Sequence, residues 1–374
     1  MSGSRLSLAR KLRGLSQTEL ARIADVTPRA ISKYEKEGEG LSAAKLAEIA
    51  TVLQFGPSFF DGDDIEAPQE ASISFRARSK ISAKKRNQAI AASAFGTMLS
   101  DWMDSEFVLP KQSIPDYAGY DPEDAAQALR TEWGLGEGPI SDMIALLESH
   151  GVRVFSIREA SQEIDAYSFW DEARNRPFVF LTTSKSGERR RMDAAHELGH
   201  LVLHRKIDID GEGARDIERQ ADEFGSAFLM PSRGFRASAP RPIALSEIMR
   251  IKKLWKVSAF AVAVRSHRLG LLSDWQYHNL CVNMGRRGMR TSEPNGITPE
   301  RSQVADKIIA MTTDPLSGSS SIESATEIPR SIIRSLTFCM PVEAVRGGAA
   351  SPSTITRAER ETRRRNFVII RNGR

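Results

Sequence analysis

Cysteine is scarce in this chain, which has only Cys281 and Cys339 among its 374 residues. So few cysteines exclude a disulfide scaffold and any metal site with four cysteine ligands, and they favour a reducing compartment. Long apolar runs are also lacking, because the longest, residues 257–264, is far too short to span a membrane. The N-terminus has no apolar core of the kind that signal peptides carry. We therefore expect a cytoplasmic protein without a membrane partner.

A surplus of one charge sign is absent from most of the chain. There are 53 Lys and Arg residues against 48 Asp and Glu, and the formal net charge is +5. Residues 357–374 carry seven Arg and two Glu, so this tail accounts for the whole excess. The balanced remainder excludes a uniformly basic coat for nonspecific nucleic-acid binding, although it permits local basic patches.

Hydrophobic periodicity separates helical from strand-like segments. The N-terminal part consists of short helical patterns joined by turns. Three runs rich in β-branched and aromatic residues, at 152–157, 164–170 and 177–183, predict strands of one small sheet. Helical periodicity returns over residues 190–204 and 216–229. The predicted fold class is α+β, with an all-α domain followed by a mainly helical domain that contains a sheet of three or more strands.

Composition divides the chain into four segments. An acidic, proline-containing stretch follows the first helices, as is typical of a linker, and the C-terminal part is rich in Ser and then in Arg. We assign an all-α domain to residues 1–60, a linker to 61–75, a second domain to 76–312 and a C-terminal extension to 313–374. We expect this extension, with its Arg-rich tail, to be loosely ordered.

The strongest motif is HELGH at residues 196–200. On a helix, His196 and His200 lie one turn apart on one face, so their imidazoles can bind a single zinc ion. Glu197 lies beside them, where its carboxylate can take a proton from a water molecule that the metal acidifies for attack on a peptide carbonyl. The alternative is a surface helix that happens to carry two histidines.

A catalytic zinc needs a third protein ligand and an open fourth position. The metzincin continuation is excluded, because Leu203 and Lys206 stand where that class needs glycine and histidine. His204, one turn beyond His200, is one candidate, but a packing role is more common for a histidine in this position. A better candidate lies on the next predicted helix.

That helix carries Glu218 and Asp222 on the same face as two small residues, Ala221 and Gly225. The small residues permit a close approach to the Gly199 side of the first helix. Glu218 would then complete a His₂Glu ligand set, and Asp222 would bond a ligand imidazole and fix its tautomer. Alternatively, the two carboxylates form the solvated face of an amphipathic helix.

HELGHLVLH followed by E-x-x-A-D-x-F-x-x-x-F-L-M-P resembles the ImmA/IrrE family of zinc-dependent endopeptidases, over roughly residues 72–312. The resemblance implies one Zn²⁺ per chain held by His196, His200 and Glu218, with Glu197 as general base. The activity implied is that of a zinc metalloendopeptidase of the gluzincin-like HExxH-plus-Glu type. Family members of this kind cleave a helix-turn-helix repressor, so the implied substrate is a protein of that type.

Metallopeptidases of this general type hold an extended substrate against an edge strand. The run at 177–183, directly before the metal-binding helix, is our candidate for that edge, and an interior position is equally compatible with its sequence. The sequence identifies no residue that stabilises an oxyanion, and Tyr167 is no more than a guess.

A second group of sequence motifs lies near the N-terminus. The S-x-x-E pattern at residues 16–19 is a capping box that begins one helix, and Thr27 with Pro28 suits the start of the next. The order Q-x-x-L-A, V-T-x-x-x-I-S, E-x-x-G resembles the XRE, or lambda-repressor-like, helix-turn-helix family. By this resemblance Arg10 and Glu35 form an internal ion pair.

In the functional interpretation, the helix that begins at residue 28 lies in a major groove of DNA. Arg29, Ser32 and Lys33 then reach base edges, while Gln17 and Thr27 bind phosphates. The alternative is a helical interaction module that never binds DNA. A single domain of this kind binds weakly, so we expect a homodimer if the DNA site is palindromic.

Two functions from different classes remain at this point. The first is a DNA-binding zinc endopeptidase of gene regulation that cleaves a repressor protein. The second is a non-proteolytic transcription regulator in which the zinc fold serves as a sensor or dimerisation platform. A Glu197→Gln variant separates them, because it should retain zinc and lose only proteolysis.

Overall fold

The computed structural model describes residues 2–68, 73–77, 81–157, 164–205, 213–240, 242–313, 321–339 and 369–371. The Arg-rich tail, apart from residues 369–371, and the Ser-rich stretch at 317–320 lie outside these ranges. None of the described helices is both long and apolar enough to cross a membrane.

The N-terminal unit is entirely helical. It comprises α1 (Gly3–Leu12), α2 (Gln17–Ile23), α3 (Pro28–Glu37), α4 (Ala43–Leu53) and a short 3₁₀ helix (Pro57–Asp61). The predicted capping box begins α2, and the Thr27 hydroxyl accepts a hydrogen bond from the Ala30 amide at the start of α3. Asp25 adopts the left-handed conformation, with φ of 51°, in the turn between these helices.

The remainder mixes helices with short strands. Its helices are α5 (Ala83–Glu106), α6 (Pro122–Glu132), α7 (Met143–Ser149), α8 (Gly187–Leu203), α9 (Ala214–Leu229), α10 (Ser232–Ser238), α11 (Leu245–Trp255), α12 (Ala259–Arg268), α13 (Asp274–Arg286), α14 (Gln303–Thr312), α15 (Ser321–Thr326) and α16 (Arg330–Leu336). Its strands are β1 (Ile73–Ala77), β2 (Phe107–Val108), β3 (Arg153–Ile157), β4 (Ile164–Asp171), β5 (Arg176–Thr182) and β6 (Ile370–Arg371). The predicted α+β class is thus confirmed.

The main sheet has four strands in the order β1-β4-β5-β3. β4 pairs antiparallel with both β1 and β5, whereas β3 and β5 are parallel. Our proposed edge strand is therefore wrong, because Phe178 of β5 lies opposite Phe169 of β4 on one side and Arg153 of β3 on the other. The edges are β3 and β1, and β1 is a strand that the sequence analysis did not predict.

The sheet is covered by helices on both faces, which explains the nearly continuous apolar sequence of β5. Phe178 and Phe180 pack on the α5 side, and Val179 and Leu181 pack on the α8 side. Burial of both faces leaves no polar alternation in such a strand. Helix α8, which carries the HELGH motif, contacts β4 and β5 directly.

The N-terminal unit shares one hydrophobic cluster with α5. Phe55 and Phe59 lie with their ring centroids 5.7 and 5.8 Å from that of Phe95 on α5. Beyond the 3₁₀ helix, the Asp64 carboxylate accepts hydrogen bonds from the hydroxyls of Ser2 and Ser4. The first half of the expected linker therefore lies against α1 rather than apart from it.

Two expected boundaries differ from the structure. β1 crosses the expected border between residues 75 and 76, so the second unit begins with this strand. The C-terminal extension, which we expected to be loosely ordered, forms α15 and α16 within its described part. Ile332, Ile333 and Leu336 of α16 are buried in the cluster that includes α5, and burial of this apolar face explains the order.

Candidate metal centre

The site is built on α8 and α9, which pack closely side by side. The Ser186 hydroxyl caps α8 by accepting a hydrogen bond from the Arg189 amide, and nearly every residue of the helix is buried. At the contact, a Cβ at Gly199 would lie 3.2 Å from Ala221 Cα, and one at Gly225 would lie 3.0 Å from the His196 backbone nitrogen. Both glycines therefore allow a separation that larger residues would prevent.

Three donor groups converge where the helices touch. The Nε2 atoms of His196 and His200 lie 3.0 Å apart. Glu218 Oε2 lies 3.4 Å from His196 Nε2, and its Oε1 lies 3.2 Å from His200 Nε2. Within the described residues, these three side chains are the group of His, Cys, Asp and Glu donors that could hold a metal ion, with donor atoms within 4.8 Å of one another.

Asp222 fixes the orientation of one of the two imidazoles. His196 Nδ1–H donates a hydrogen bond to Asp222 Oδ1 over 2.8 Å. This assignment of the ring proton leaves Nε2 as a lone-pair donor that faces Glu218. The sequence analysis expected Asp222 to bond an imidazole, and its action on a metal ligand stays a prediction.

His204 lies behind His200 rather than among the converging donors. His200 Nδ1 and His204 Nδ1 are 3.2 Å apart, and His204 Nε2 is 2.8 Å from Gln220 Oε1. A consistent proton assignment lets His204 Nε2–H donate to Gln220 and His200 Nδ1–H donate to His204. His200 Nε2 then also presents a lone pair, so His204 orients a donor and is not one itself. The sequence analysis did not identify Gln220.

The protonation of the site favours a cation. Burial lowers the pKa of His200 to about 4, so its imidazole is neutral at pH 7. Two lone-pair nitrogens and a carboxylate thus face one another.

The donor set and its spacing fit a zinc ion. Two ligand atoms about 2.1 Å from one ion at the tetrahedral angle lie roughly 3.4 Å apart. The three observed separations, 3.0, 3.2 and 3.4 Å, are within a few tenths of this value. Lone pairs at such distances repel one another unless a cation lies between them. The close approach of these three donor atoms is therefore the observation that makes His196, His200 and Glu218 fit a metal ion.

Glu197 is fully buried and held by a residue that the sequence analysis missed. Ser168 Oγ on β4 donates a hydrogen bond to Glu197 Oε2 over 2.6 Å. The signal lay in strand alternation, because residues of β4 point in turn to α8 and to α5, and Ser168 falls on the α8 side. Tyr167 falls on the other side, where its hydroxyl donates to the Ala89 carbonyl, so it does not reach the metal centre.

The solvent side of the centre opens into a cavity of about 400 Å³. Glu218 and Asp222 form part of its lining, and three arginines, Arg215, Arg219 and Arg268, complete its charged border. Glu218 is 36% exposed, whereas His196 and His200 are almost fully buried. A ligand can therefore approach the donor group from the α9 side.

The predicted DNA-contacting residues lie on the helix-turn-helix surface. Arg29 and Lys33 are exposed on α3, and Ser32 is half-buried between them. Gln17 is also half-buried, and its side-chain amide donates to Glu35 Oε2. The hydroxyl of Thr27 is engaged in capping α3. The two cations are thus exposed, although Lys33 Nζ lies 3.8 Å from Glu37 Oε2, and Gln17 and Thr27 form hydrogen bonds within the unit.

The ion pair implied by the family resemblance is present inside this unit. Arg10 Nη2 donates to Glu35 Oε2 over 2.8 Å, and Arg10 Nε donates to Glu35 Oε1 over 2.5 Å. The pair is nearly buried and joins α1 to α3. It fixes the orientation of the helix that we expect to enter the groove.

Comparison with known protein families gives two matches. The IrrE N-terminal-like domain of peptidase family M78 matches residues 147–267, which contain α8 and α9. The helix-turn-helix family matches residues 6–60, which span most of the N-terminal unit. A search among curated proteins found no match for the chain. The chain therefore carries an IrrE-like domain of peptidase family M78, preceded by a helix-turn-helix domain of the XRE type.

Proposed function

We propose that this protein is a cytoplasmic, DNA-binding zinc endopeptidase of gene regulation that cleaves a helix-turn-helix repressor. The single observation that carries the proposal is the convergence of His196, His200 and Glu218 on one point, with Glu197 on the same helix. In this proposal, residues 1–60 bind DNA and the unit that begins at β1 and extends to residue 312 cleaves the peptide bond.

His196, His200 and Glu218 would hold one zinc ion per chain, in a gluzincin-like arrangement. When bound, the ion would supply Lewis acidity that polarises the scissile carbonyl and acidifies a water molecule. Asp222 acts through His196 and keeps its Nε2 lone pair directed at the ligand position.

Glu197 acts as the general base. Ser168 donates to Glu197 Oε2 and so orients the carboxylate that receives the proton from water. The oxygen of water forms a bond to the carbonyl carbon, the C–N bond breaks, and Glu197 passes the proton to the leaving amine nitrogen. The second proton of the water also passes to the amine, so the products are a carboxylate and an ammonium group.

The substrate peptide would lie along β1, the edge strand next to β4. Ser74 of β1 is the register partner of Ser168 on β4, so this edge runs past the strand that holds Glu197. An extended peptide can add to such an edge through backbone hydrogen bonds. This assignment replaces the interior strand β5 as the substrate-binding edge.

DNA binding would use α3 in a major groove, with Arg29, Ser32 and Lys33 at base edges and Gln17 and Thr27 at phosphates. Because a single helix-turn-helix domain binds weakly, we propose a homodimer on a palindromic site. The exposed positions of Arg29 and Lys33 support this part of the proposal.

A Glu197→Gln variant tests the proposal. We expect unchanged zinc content and a loss of about 100-fold or more in the cleavage rate, because the proton acceptor is removed while the three ligands remain. Zinc is measured by elemental analysis, and cleavage is measured against repressors encoded near the gene. Glu223→Gln, a carboxylate on α9 that pairs with Arg219, is the matched control and should retain full activity.

The same variant decides between proteolysis and a non-enzymatic role. If Glu197→Gln cleaved at the wild-type rate, the role assigned to Glu197 would be wrong. If it lost cleavage yet retained full regulation in cells, the zinc fold would serve as a sensor or dimerisation platform instead.

A further inference from the structure

A second cavity, of about 370 Å³, lies where the helix-turn-helix unit meets the rest of the chain. We call this part of the chain, from β1 to α16, the peptidase unit after its family match. Its walls come from the ends of α1 and α4 on one side, and from α5, the end of β3 and α16 on the other. The sheet separates it from the metal centre, because α5 and α8 cover opposite faces. Its volume lies in the range of about 300 to 1,000 Å³ that is typical of small-molecule sites.

Among the described residues, the charged groups that line this junction cavity are both positive. They are Arg13 and Lys85, and no described lining residue carries a carboxylate. Within the described residues, Lys85 forms no ion pair. Two cations that share a recess without an anion are unfavourable, and a bound anion would remove this cost.

Arg13 in particular has hydrogen-bonding capacity left over. Its Nε donates to the Leu53 carbonyl over 2.8 Å, and its guanidinium lies 5.7 Å from the centre of the Phe55 ring. Its Nη2 is buried and has no hydrogen-bond partner in the described structure. Gln88 Oε1, also in the lining, is buried without a partner as well. Buried polar atoms are rarely left unsatisfied, so this recess suits a polar ligand.

The rest of the wall is partly apolar, beside the polar residues Gln54, Ser156, Ser331 and Ser335. Ile157 at the end of β3 is buried, as are Ile332 and Leu336 of α16, and all three line the cavity. An inorganic ion would leave this apolar surface unused. A ligand with a hydrocarbon part would bury it and gain about 25 cal/mol per Å² of apolar area.

We propose that the junction cavity binds a small organic anion, with its carboxylate or phosphate between Arg13 and Lys85 and its apolar body against Ile157, Ile332 and Leu336. This site is distinct from the metal centre and does not depend on the proposed proteolysis. Because its walls belong to both units, the bound anion bridges the DNA-binding and peptidase parts of the chain.

Isothermal titration calorimetry on the full-length, zinc-loaded protein tests the site. The probes are octanoate and octyl phosphate, with octan-1-ol and octylamine as neutral and cationic counterparts of the same chain length. Lys85→Glu is the informative variant, because Lys85 has no ion pair with any described residue that the substitution would break. Lys84→Glu makes the same charge change on the adjacent, exposed residue outside the cavity and is the matched control.

We expect at least one anionic probe to bind, and Lys85→Glu to weaken it by about tenfold or more, because a charge-assisted contact becomes repulsive. Lys84→Glu should remain within about twofold of wild type. Binding of octan-1-ol as tight as that of the anions would overturn the proposal. It would also be overturned by equal losses in the two variants, or by the failure of both anions to bind.

Discussion

Hydroxyl groups hold two buried carboxylates of the peptidase unit in place. Ser168 donates to Glu197 beside the metal centre, and Ser302 donates to Glu148, which also accepts the Gln303 amide at the start of α14. In each case the donor belongs to a distant part of the chain. A small polar side chain thus determines which carboxylate oxygen is engaged and which is left for other contacts.

Ser168→Ala should slow proteolysis without removing the metal. The variant deletes the hydrogen bond to Glu197 Oε2 and leaves His196, His200 and Glu218 unchanged, so we expect about a tenfold lower kcat and an unaltered zinc content. The rate should also depend differently on pH, because the carboxylate loses a donor that favours its charged form. Ser168→Thr, which retains a hydroxyl, should recover part of the rate. An Ala variant with full activity would show that Ser168 does not position the base.

Glu148→Gln should change how stability depends on pH. Burial raises the pKa of Glu148 to about 8 from the ordinary value of 4.5, although hydrogen bonds from Ser302 and two backbone amides oppose the shift. Between these values the folded protein retains a proton that the unfolded chain has lost. The contribution of Glu148 to the free energy of unfolding therefore falls as pH rises, by up to about 1.4 kcal/mol per pH unit.

Urea unfolding of metal-free wild type and Glu148→Gln at pH 5.5, 6.5 and 7.5 measures this effect. The variant lacks the titrating group, so its advantage over wild type should increase steadily with pH. Parallel curves for the two proteins would contradict the prediction.

Sequence spacing was sufficient to place several site residues in contact, but not all of them. The i, i+4 spacing of His196 and His200 puts them on one helical face, and the spacing of Glu218 and Asp222 does the same on α9. Strand alternation indicates the face of β4 on which Ser168 lies, but its contact with Glu197 was not predictable, because that contact depends on how β4 lies beneath α8. Helical periodicity determines faces within an element, whereas contacts between elements depend on the packing of the whole unit.

At the scale of elements, the metal centre depends on the close contact of α8 and α9. Gly199→Ala should separate the two helices, because the new Cβ would lie 3.2 Å from Ala221 Cα. We expect about tenfold weaker zinc binding in a competition assay with a chelator, since Glu218 moves away from the histidines. Gly285→Ala in α13, whose Cβ meets only the Arg290 side chain at 3.4 Å, is the control.

The control should be neutral or stabilising, because alanine favours a helix over glycine by up to about 1 kcal/mol. Equal zinc affinity in the two variants would contradict the prediction, because it would mean that α8 and α9 can accommodate a methyl group at position 199 without moving Glu218.

The sheet shows which features of an element its sequence encodes. β3, β4 and β5 were predicted within a residue or two, since each combines β-branched and aromatic residues between turns. β1, a strand far upstream, alternates apolar and polar residues, but over only five positions, and the sequence analysis did not use this signal. The interior position of β5 was not predictable, because strand order depends on where β1 and β3 pair rather than on β5 itself.

At the scale of the molecule, the helix-turn-helix unit and the peptidase unit share a core. Phe95→Ala on α5 should lower the free energy of unfolding by about 3 to 5 kcal/mol, because Phe95 is fully buried against Phe55 and Phe59. We expect one denaturant transition, shifted as a whole, when tryptophan fluorescence and circular dichroism are both followed. Trp275→Ala, which removes a side chain that is 75% exposed, should change stability by less than about 0.5 kcal/mol.

Two separate transitions, of which only one responded to Phe95→Ala, would show that the units fold independently. The contact between the two units would then contribute nothing to the free energy of unfolding of the second unit.

The aromatic junction between α5 and the N-terminal unit also has a geometrical consequence on DNA. A protease tethered by a flexible linker samples targets in every direction, but a helix-turn-helix unit that is packed on α5 through buried aromatic rings keeps one orientation relative to the rest of the protein. In the proposed function, a repressor bound to the same duplex would reach the catalytic cleft only from one side of the double helix. Moving its site by about five base pairs, half a turn, would place it on the opposite side and out of reach.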